Sequence, residues 1–321
     1  MKTYVLRRIL ISIPLLIAIS FITFSALQLA PGTILDTIRF NPQVSEQTVK
    51  KLEKKYGLDK PWIVQYLYWL KGIAKLDLGY SIRNERPVSQ IILSRALNTL
   101  LLSVVSILFI WLVAIPSGIY TAVNQYTLGD KVFSVFSYVG LALPGFFFAL
   151  LLLFLADMWG VFPKGQLFSG EYGSLGLFGK FWHVGKHLLV PVIVISTGSM
   201  AVLQRIMRGN MLEVLRSQYL VTARAKGLPE NRVIYGHALR NAINPMITIF
   251  GFQLSGLLSG AALIETICSY PGLGYTMLDA VRAQDTHLVM GAILISGVLL
   301  VMGNLVADIL LVMVDPRIRV H

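Results

Sequence analysis

Cysteine is almost absent: Cys268 stands alone in 321 residues. That excludes an intramolecular disulfide framework and any cysteine-rich metal site, and Cys268 reads as a small packing residue. Charge is also scarce, with charged residues at 14% and hydrophobic residues at 55%, where a soluble domain carries about 25% charge. The chain has no Gly-x-x-x-x-Gly-Lys-Ser/Thr loop, so it offers no phosphate cradle of that kind for ATP. It also has no His-Glu-x-x-His motif and no paired His/Cys cluster. Gly272 and Gly274 form Gly-x-Gly, but without a flanking strand and helix they read as a turn. No catalytic residue, metal ligand or cofactor site is therefore assigned to this chain.

What the sequence has instead is long apolar runs. A helix rises about 1.5 Å per residue and the hydrocarbon layer is about 30 Å thick, so a run of about 20 residues spans it. Such runs occur at Ile9–Leu29, Thr99–Val123, Val132–Met158, Leu188–Met207, Ala242–Ile264 and Leu288–Val314. They imply an all-α integral membrane protein with about six transmembrane helices. The first run competes with a signal peptide. It is longer than a typical h-region, and Gln28-Leu29-Ala30-Pro31-Gly32 is a poor cleavage site, so an uncleaved span is expected.

Between the first two spans lies a polar external segment with helical character at Val49–Tyr56 and Pro61–Ile73, broken at Gly57–Lys60. Trp62, Tyr66, Tyr68 and Trp69 there suit an interfacial belt or a small packed subdomain. Gly160–Lys186, rich in glycine and aromatics, reads as a second external loop. The expected organisation is residues 1–30 as basic start and first span, 31–95 as external segment, 96–314 as membrane core and 315–321 as tail.

The net charge is +12, but its basic residues flank apolar runs, a pattern of topology and anionic lipid rather than nucleic acid. Lys2, Arg7, Arg8, Lys131, Arg205, Arg208, Arg216, Arg224, Lys226, Arg232, Arg240, Arg317 and Arg319 fall on one side. They are opposed there by Asp130, Glu213, Glu230 and Asp315. The expected topology has both termini inside.

Several residues within the spans invite a functional reading. Asp308 is an intramembrane acid, costly in lipid and so a candidate site, yet a cap or hydrogen bond to a neighbouring helix is the favoured explanation. His183, His187 and His287 lie at span edges and read as interfacial. Pro116-Ser117-Gly118 and Pro144-Gly145 should break or bend helices at depth, as hinge or path elements. Ser255-Gly256 and Ser259-Gly260 place small residues four apart on one face, for close helix packing or a path.

The inner stretch 208–245 is the most specific. Glu213–Lys226 holds good helix formers, and Gly227 supplies a stop. Pro229 and Glu230 suit the first turn of a second helix running to Asn241, before Pro245. This basic, bent pair fits docking into another protein or, alternatively, lying on anionic lipid.

Here the residues resemble a family. Tyr219-Leu220-Val221-Thr222-Ala223-Arg224-Ala225-Lys226-Gly227-Leu228, then His237-Ala238-Leu239-Arg240-Asn241-Ala242 and Pro245, resemble the coupling loop of binding-protein-dependent ABC importer permeases. The general loop reads Glu-Ala-Ala, three residues, Gly, nine residues, Ile-x-Leu-Pro. This chain keeps Gly227 but has Val221-Thr222-Ala223 and His237-Ala238-Leu239-Arg240 at the ends, wording that resembles the dipeptide/oligopeptide/nickel subfamily. Tyr56-Gly57-Leu58-Asp59-Lys60-Pro61, Asp77-Leu78-Gly79-Tyr80-Ser81, Leu143-Pro144-Gly145-Phe146, Tyr270-Pro271-Gly272-Leu273-Gly274 and Asp315-Pro316-Arg317-Ile318-Arg319 extend the likeness along the chain. The long external segment resembles the first of the two paired permeases.

The resemblance implies a type I importer permease fold in the cytoplasmic membrane. It implies a second permease subunit, two ATPase subunits and an extracytoplasmic solute-binding protein as partners. Coupling to the ATPases would fall to Thr222, Ala223, Arg224, Ala225, Lys226, Gly227, Leu228, His237 and Arg240. Pro116, Pro144, Gly145, Ser255, Gly256 and Asp308 remain path or hinge candidates. A self-contained secondary transporter or channel is the rival reading, supported by Asp308, Pro116 and Pro144. The topology is checked with single cysteines at Gly170 and Ser217 after removal of Cys268. They should label from opposite faces of intact cells, and labelling from one face would refute it.

Overall fold

The computed structural model describes residues 2–29, 32, 46–47, 53–54, 57–160, 163, 167–168, 170–258 and 262–314. Outside these lie most of Val49–Tyr56 and of the first external segment before Gly57, the pair Ser259-Gly260, and the tail 315–321. The elements in chain order are α1 (Lys2–Leu29), α2 (Trp62–Ile73), strands β1 (Tyr80–Ser81) and β2 (Arg86–Pro87), α3 (Val88–Val123), α4 (Leu128–Ala142) and α5 (Gly145–Trp159). A 3-10 turn (Gly170–Ser174) leads to α6 (Leu177–Leu215) and α7 (Gln218–Ala225). A π-helical segment (Arg232–Ala238), α8 (Leu239–Ala242), α9 (Asn244–Leu258), α10 (Ala262–Ile267), α11 (Leu273–Arg282) and α12 (Thr286–Val314) complete the chain. Apart from two paired two-residue strands, the described secondary structure is helical, as apolar segments without water to satisfy their backbones require.

Helices α1, α3, α6 and α12 are each long and apolar enough to cross a membrane. A fifth crossing can be counted if α4 and α5 are taken as one span, but they meet at 108°. The sequence places one apolar run over Val132–Met158 with a break or bend at Pro144-Gly145; two 15-residue helices meet at that break. The cause is local. Leu143 precedes Pro144 and is pushed into extended backbone (φ −79°, ψ 122°), and Pro144 then opens α5 without donating a hydrogen bond. The run Ala242–Ile264 is represented by α8, α9 and α10, with residues 259–261 outside the description. Pro116, by contrast, sits within an unbroken α3. Helices α3 and α6 run to 36 and 39 residues, well past their apolar runs, because only the lipid-embedded part must be apolar.

The described residues form two compact units. One lies within residues 1–99 and 271–302, the other within 100–270 and 303–314. In the first, α2 packs on α1: the Ser20 and Tyr66 hydroxyls lie 2.9 Å apart, and Phe24, Tyr66, Trp69 and Met290 form a small core. The aromatics expected in an interfacial belt or small subdomain are thus partly core, with Trp62 and Tyr68 left exposed. β1 and β2 form an antiparallel ribbon, Tyr80 opposite Pro87 and Ser81 opposite Arg86. Asp285 ties this ribbon to the start of α12. It accepts from the Ser81 hydroxyl at 2.6 Å and caps α12 by accepting from the Leu288 N–H at 3.2 Å.

In the second unit, α4 and α5 pack along α6. One core gathers Leu102, Ala149, Leu188, Val192, Cys268 and Tyr270. Burial there pushes the Cys268 thiol up to about 11. Below that pH the group stays a thiol, so burial and protonation both suppress its reactivity. Maleimide should leave the folded protein unmodified at pH 7 and add one label after denaturation, as read by mass; labelling of the native protein would refute this packing.

Candidate coupling site

The stretch 208–245 grows directly out of α6. That helix ends at Leu215, where the Ser217 hydroxyl donates to the Val214 carbonyl at 2.6 Å and Ser217 turns extended (ψ 145°). The single helix expected over Glu213–Lys226 is therefore split at Arg216-Ser217, since serine competes for the local backbone and favours a helix start. Helix α7 follows and ends in a Schellman motif. The Gly227 N–H donates to the Arg224 carbonyl at 2.9 Å, and the Leu228 N–H to the Ala223 carbonyl at 3.4 Å. Gly227 has φ +75°, with open space where a Cβ would project. Glycine is needed there for its backbone, not for room.

After Pro229 the chain is helical again, but in the wider π form over Arg232–Ala238 rather than as the simple α-helix expected to Asn241. This pair of helices is not a separate flap. Leu220, Val233, Ile234, Ala238 and Ala242 are buried in the same core as Ala114, Leu203, Met207 and Met211. Burying one leucine is worth about 1.5–3 kcal/mol. The most deeply buried apolar residue of α7 thus faces its own bundle, not lipid. The Asn210 amide donates to the Ala242 carbonyl at 3.2 Å, and the Asn241 amide to the Tyr219 hydroxyl at 2.7 Å.

Of the residues assigned to coupling, Ala223 and Leu228 pack against this core. Thr222, Arg224, Ala225, Lys226, Gly227, His237 and Arg240 are exposed, beside the exposed apolar side chains Val221 and Tyr235. Arg224 folds back on Glu230 at 2.8 Å. Hydrogen bonds from Arg224 hold the Glu230 carboxyl below its ordinary range, so the pair is intact at neutral pH and is lost as pH falls through that lowered value. Being solvated, it contributes at most about 1 kcal/mol. It closes the bend without supplying rigidity; the buried core does that.

The path and hinge candidates are scattered. Pro144 and Gly145 form the 108° break, beside a cavity of about 500 Å³ lined by Gly140, Leu143, Thr197, Gly198 and Ser199. Gly256 is exposed on α9, which also carries Ser255. Asp308 is half-buried on α12. His183 and His187 stack on α6 at 4.0 Å, and the His187 ring meets the His183 carbonyl.

One constellation escaped the sequence reading. Arg208 donates two hydrogen bonds to Asp130, at 3.1 and 3.0 Å, although the two residues stood in the sequence only as opposing charges on one side. Asp130 is buried at the start of α4, where it also accepts from the Tyr126 N–H at 2.9 Å and the Ser134 hydroxyl at 3.4 Å. One turn before Arg208, the Gln204 amide donates to the Thr121 hydroxyl of α3 at 3.1 Å and accepts from the Ser137 hydroxyl of α4 at 2.7 Å. The available signal was two polar residues four apart on α6 beside the apolar Leu203, Met207 and Met211.

Comparison with known proteins places these features in a family. Residues 114–320 match the family described as "Binding-protein-dependent transport system inner membrane component", and residues 1–105 match its N-terminal membrane-component family. The chain is 40% identical to the oligopeptide transport system permease protein AppB of Bacillus subtilis, covering 99% of this chain and 100% of that one. It is 35% identical to the dipeptide transport system permease protein DppB of Escherichia coli K12, with 99% of each covered. It is 34% identical to the di/tripeptide transport system permease protein DppB of Pseudomonas aeruginosa, again over 99% of each. With its apolar spans and a helical projection rooted in the bundle core, this chain belongs to the binding-protein-dependent transport system inner membrane components, as a multi-pass, non-catalytic permease.

Proposed function

We propose that this chain is one permease half of an ATP-driven importer of peptides, set in the cytoplasmic membrane with both termini inside. The observation that carries this reading is the rigid projection 218–228. Its apolar root is buried in the bundle, while a basic and apolar face stays open. The relatives that cover the whole chain are permeases of peptide transport systems. A second permease chain completes the path. Two ATPase subunits dock on Val221, Thr222, Lys226, His237 and Arg240, and an extracytoplasmic binding protein delivers the solute from the opposite face. ATP-driven closure of the ATPases then moves α6 through α7, and the bundle alternates its access.

Gly227 provides the local test. A left-handed residue bearing a side chain costs about 1–2 kcal/mol, and a β-branched one fits that region worst. Gly227→Val should leave the protein in the membrane at near-normal amount, abolish uptake and weaken co-purification of the ATPase subunits. Gly160→Val, with a comparable φ of +62° and equally open space at the end of α5, is the matched control and should transport. A Gly227→Val protein that transports with a full complement of ATPase would end the coupling role.

The energy source is tested in proteoliposomes holding the whole complex. Uptake should stop when the ATPase subunits carry an inactivating change and continue with a protonophore while ATP is supplied. Uptake that follows a proton gradient through this chain alone would favour the secondary-transporter reading.

A further inference from the structure

Helix α6 is the shaft from which the projection grows, and α4 is held to it by polar contacts at that same end. A bidentate guanidinium–carboxylate pair is stiff and directional, unlike the point contact of an ammonium. Here it is backed by the Tyr126 N–H on the Asp130 carboxylate and by Thr127, whose hydroxyl accepts from the Asp130 N–H at 3.3 Å. Gln204 extends the contact to a third helix through Thr121, which is fully buried. Close to it, Gly118 brings α3 so near that a Cβ there would lie 2.7 Å from the Met207 Cβ and 2.9 Å from the Gln204 carbonyl oxygen. Near the root of the projection, α3, α4 and α6 are therefore locked by satisfied polar groups and by backbone-close packing. Such networks rigidify where they are complete. Beyond the lock, α4 ends at the Leu143–Pro144 break, where Pro144 has no N–H with which to carry the helical ladder across the joint.

We propose that Arg208 is a positioning residue for coupling. Its pair with Asp130 makes α4 move with α6 and α7, so that displacement of the projection is delivered to the broken span at Pro144. Without the pair, α6 can move while α4 lags, and ATP is spent without transport. The proposal rests on the reading of residues 218–228 as the ATPase-docking surface. Gln204 is the second tie and cannot replace the charge pair, because its amide reaches Ser137 two turns further along α4.

The test uses the complete transporter in proteoliposomes, with ATP hydrolysed and peptide accumulated measured on the same sample. Arg208→Ala should co-purify with its ATPase subunits yet accumulate fewer peptides per ATP, on the order of fivefold fewer or worse. Arg208→Lys, which keeps the charge but not the fork, should fall between Arg208→Ala and the unaltered protein. Asp130→Asn should lower the ratio alone and add nothing on the Arg208→Ala background, the non-additivity that marks one shared contact. A merely structural pair would instead reduce the amount or melting temperature of the complex while leaving peptides per ATP unchanged, and that result would overturn the proposal. So would additive losses from Asp130→Asn and Arg208→Ala. Failure of the underlying reading looks different: the unaltered transporter would then show no ATP-dependent uptake.

Discussion

The burial of Leu220 in the bundle core is the contact on which the rest of the projection depends. A short helix in water is marginal by itself, because nucleation costs more than a few hydrogen bonds return. Helix α7 has 8 residues, too few to persist unaided. It persists because Leu220, Val233, Ile234 and Ala238 extend the core already built by Met207 and Met211 of α6. The Schellman motif at Gly227 and the Arg224–Glu230 pair shape the bend, but neither would hold an unrooted loop. The same apolar contact that gives the projection its order also makes it mechanically continuous with the spans.

The polar ties of the second unit follow a different economy. Asp130, Gln204 and Thr121 are buried, and in hydrocarbon each would be costly without a partner. Each has partners on a neighbouring helix, which offset the cost of burying it. In the first unit Asp285 plays the corresponding part, holding the ribbon by Ser81 and the start of α12 by the Leu288 N–H with its two carboxylate oxygens.

Much of this was legible in the sequence, and the reasons are physical. Apolar runs of spanning length announce helices because lipid permits little else, and α1, α3, α6 and α12 sit on such runs. Gly227 was legible because a glycine after a run of good helix formers has a narrow range of uses. The angle at Pro144 was not legible: proline forbids the helix there, but the 108° turn is set by Leu143 and by where α4 and α5 pack on α6. The split at Ser217 was missed because serine is tolerated within helices and only its bond to Val214 reveals the turn. The Asp130–Arg208 pair was missed because the partners are 78 residues apart, and pairing across helices leaves no periodicity to read.

The break at Pro144 also has a bearing on water. Helix ends leave carbonyls and N–H groups without intrahelical partners, and lipid tails cannot supply any. The end of α4 and the start of α5 adjoin a cavity of about 500 Å³ that also meets Thr197 and Ser199. A space of that size with backbone and hydroxyl groups at its wall accommodates several water molecules, each needing about two to four polar partners. The sharp turn thus sets two helix ends beside a space large enough for water, where an unbroken helix would present only side chains.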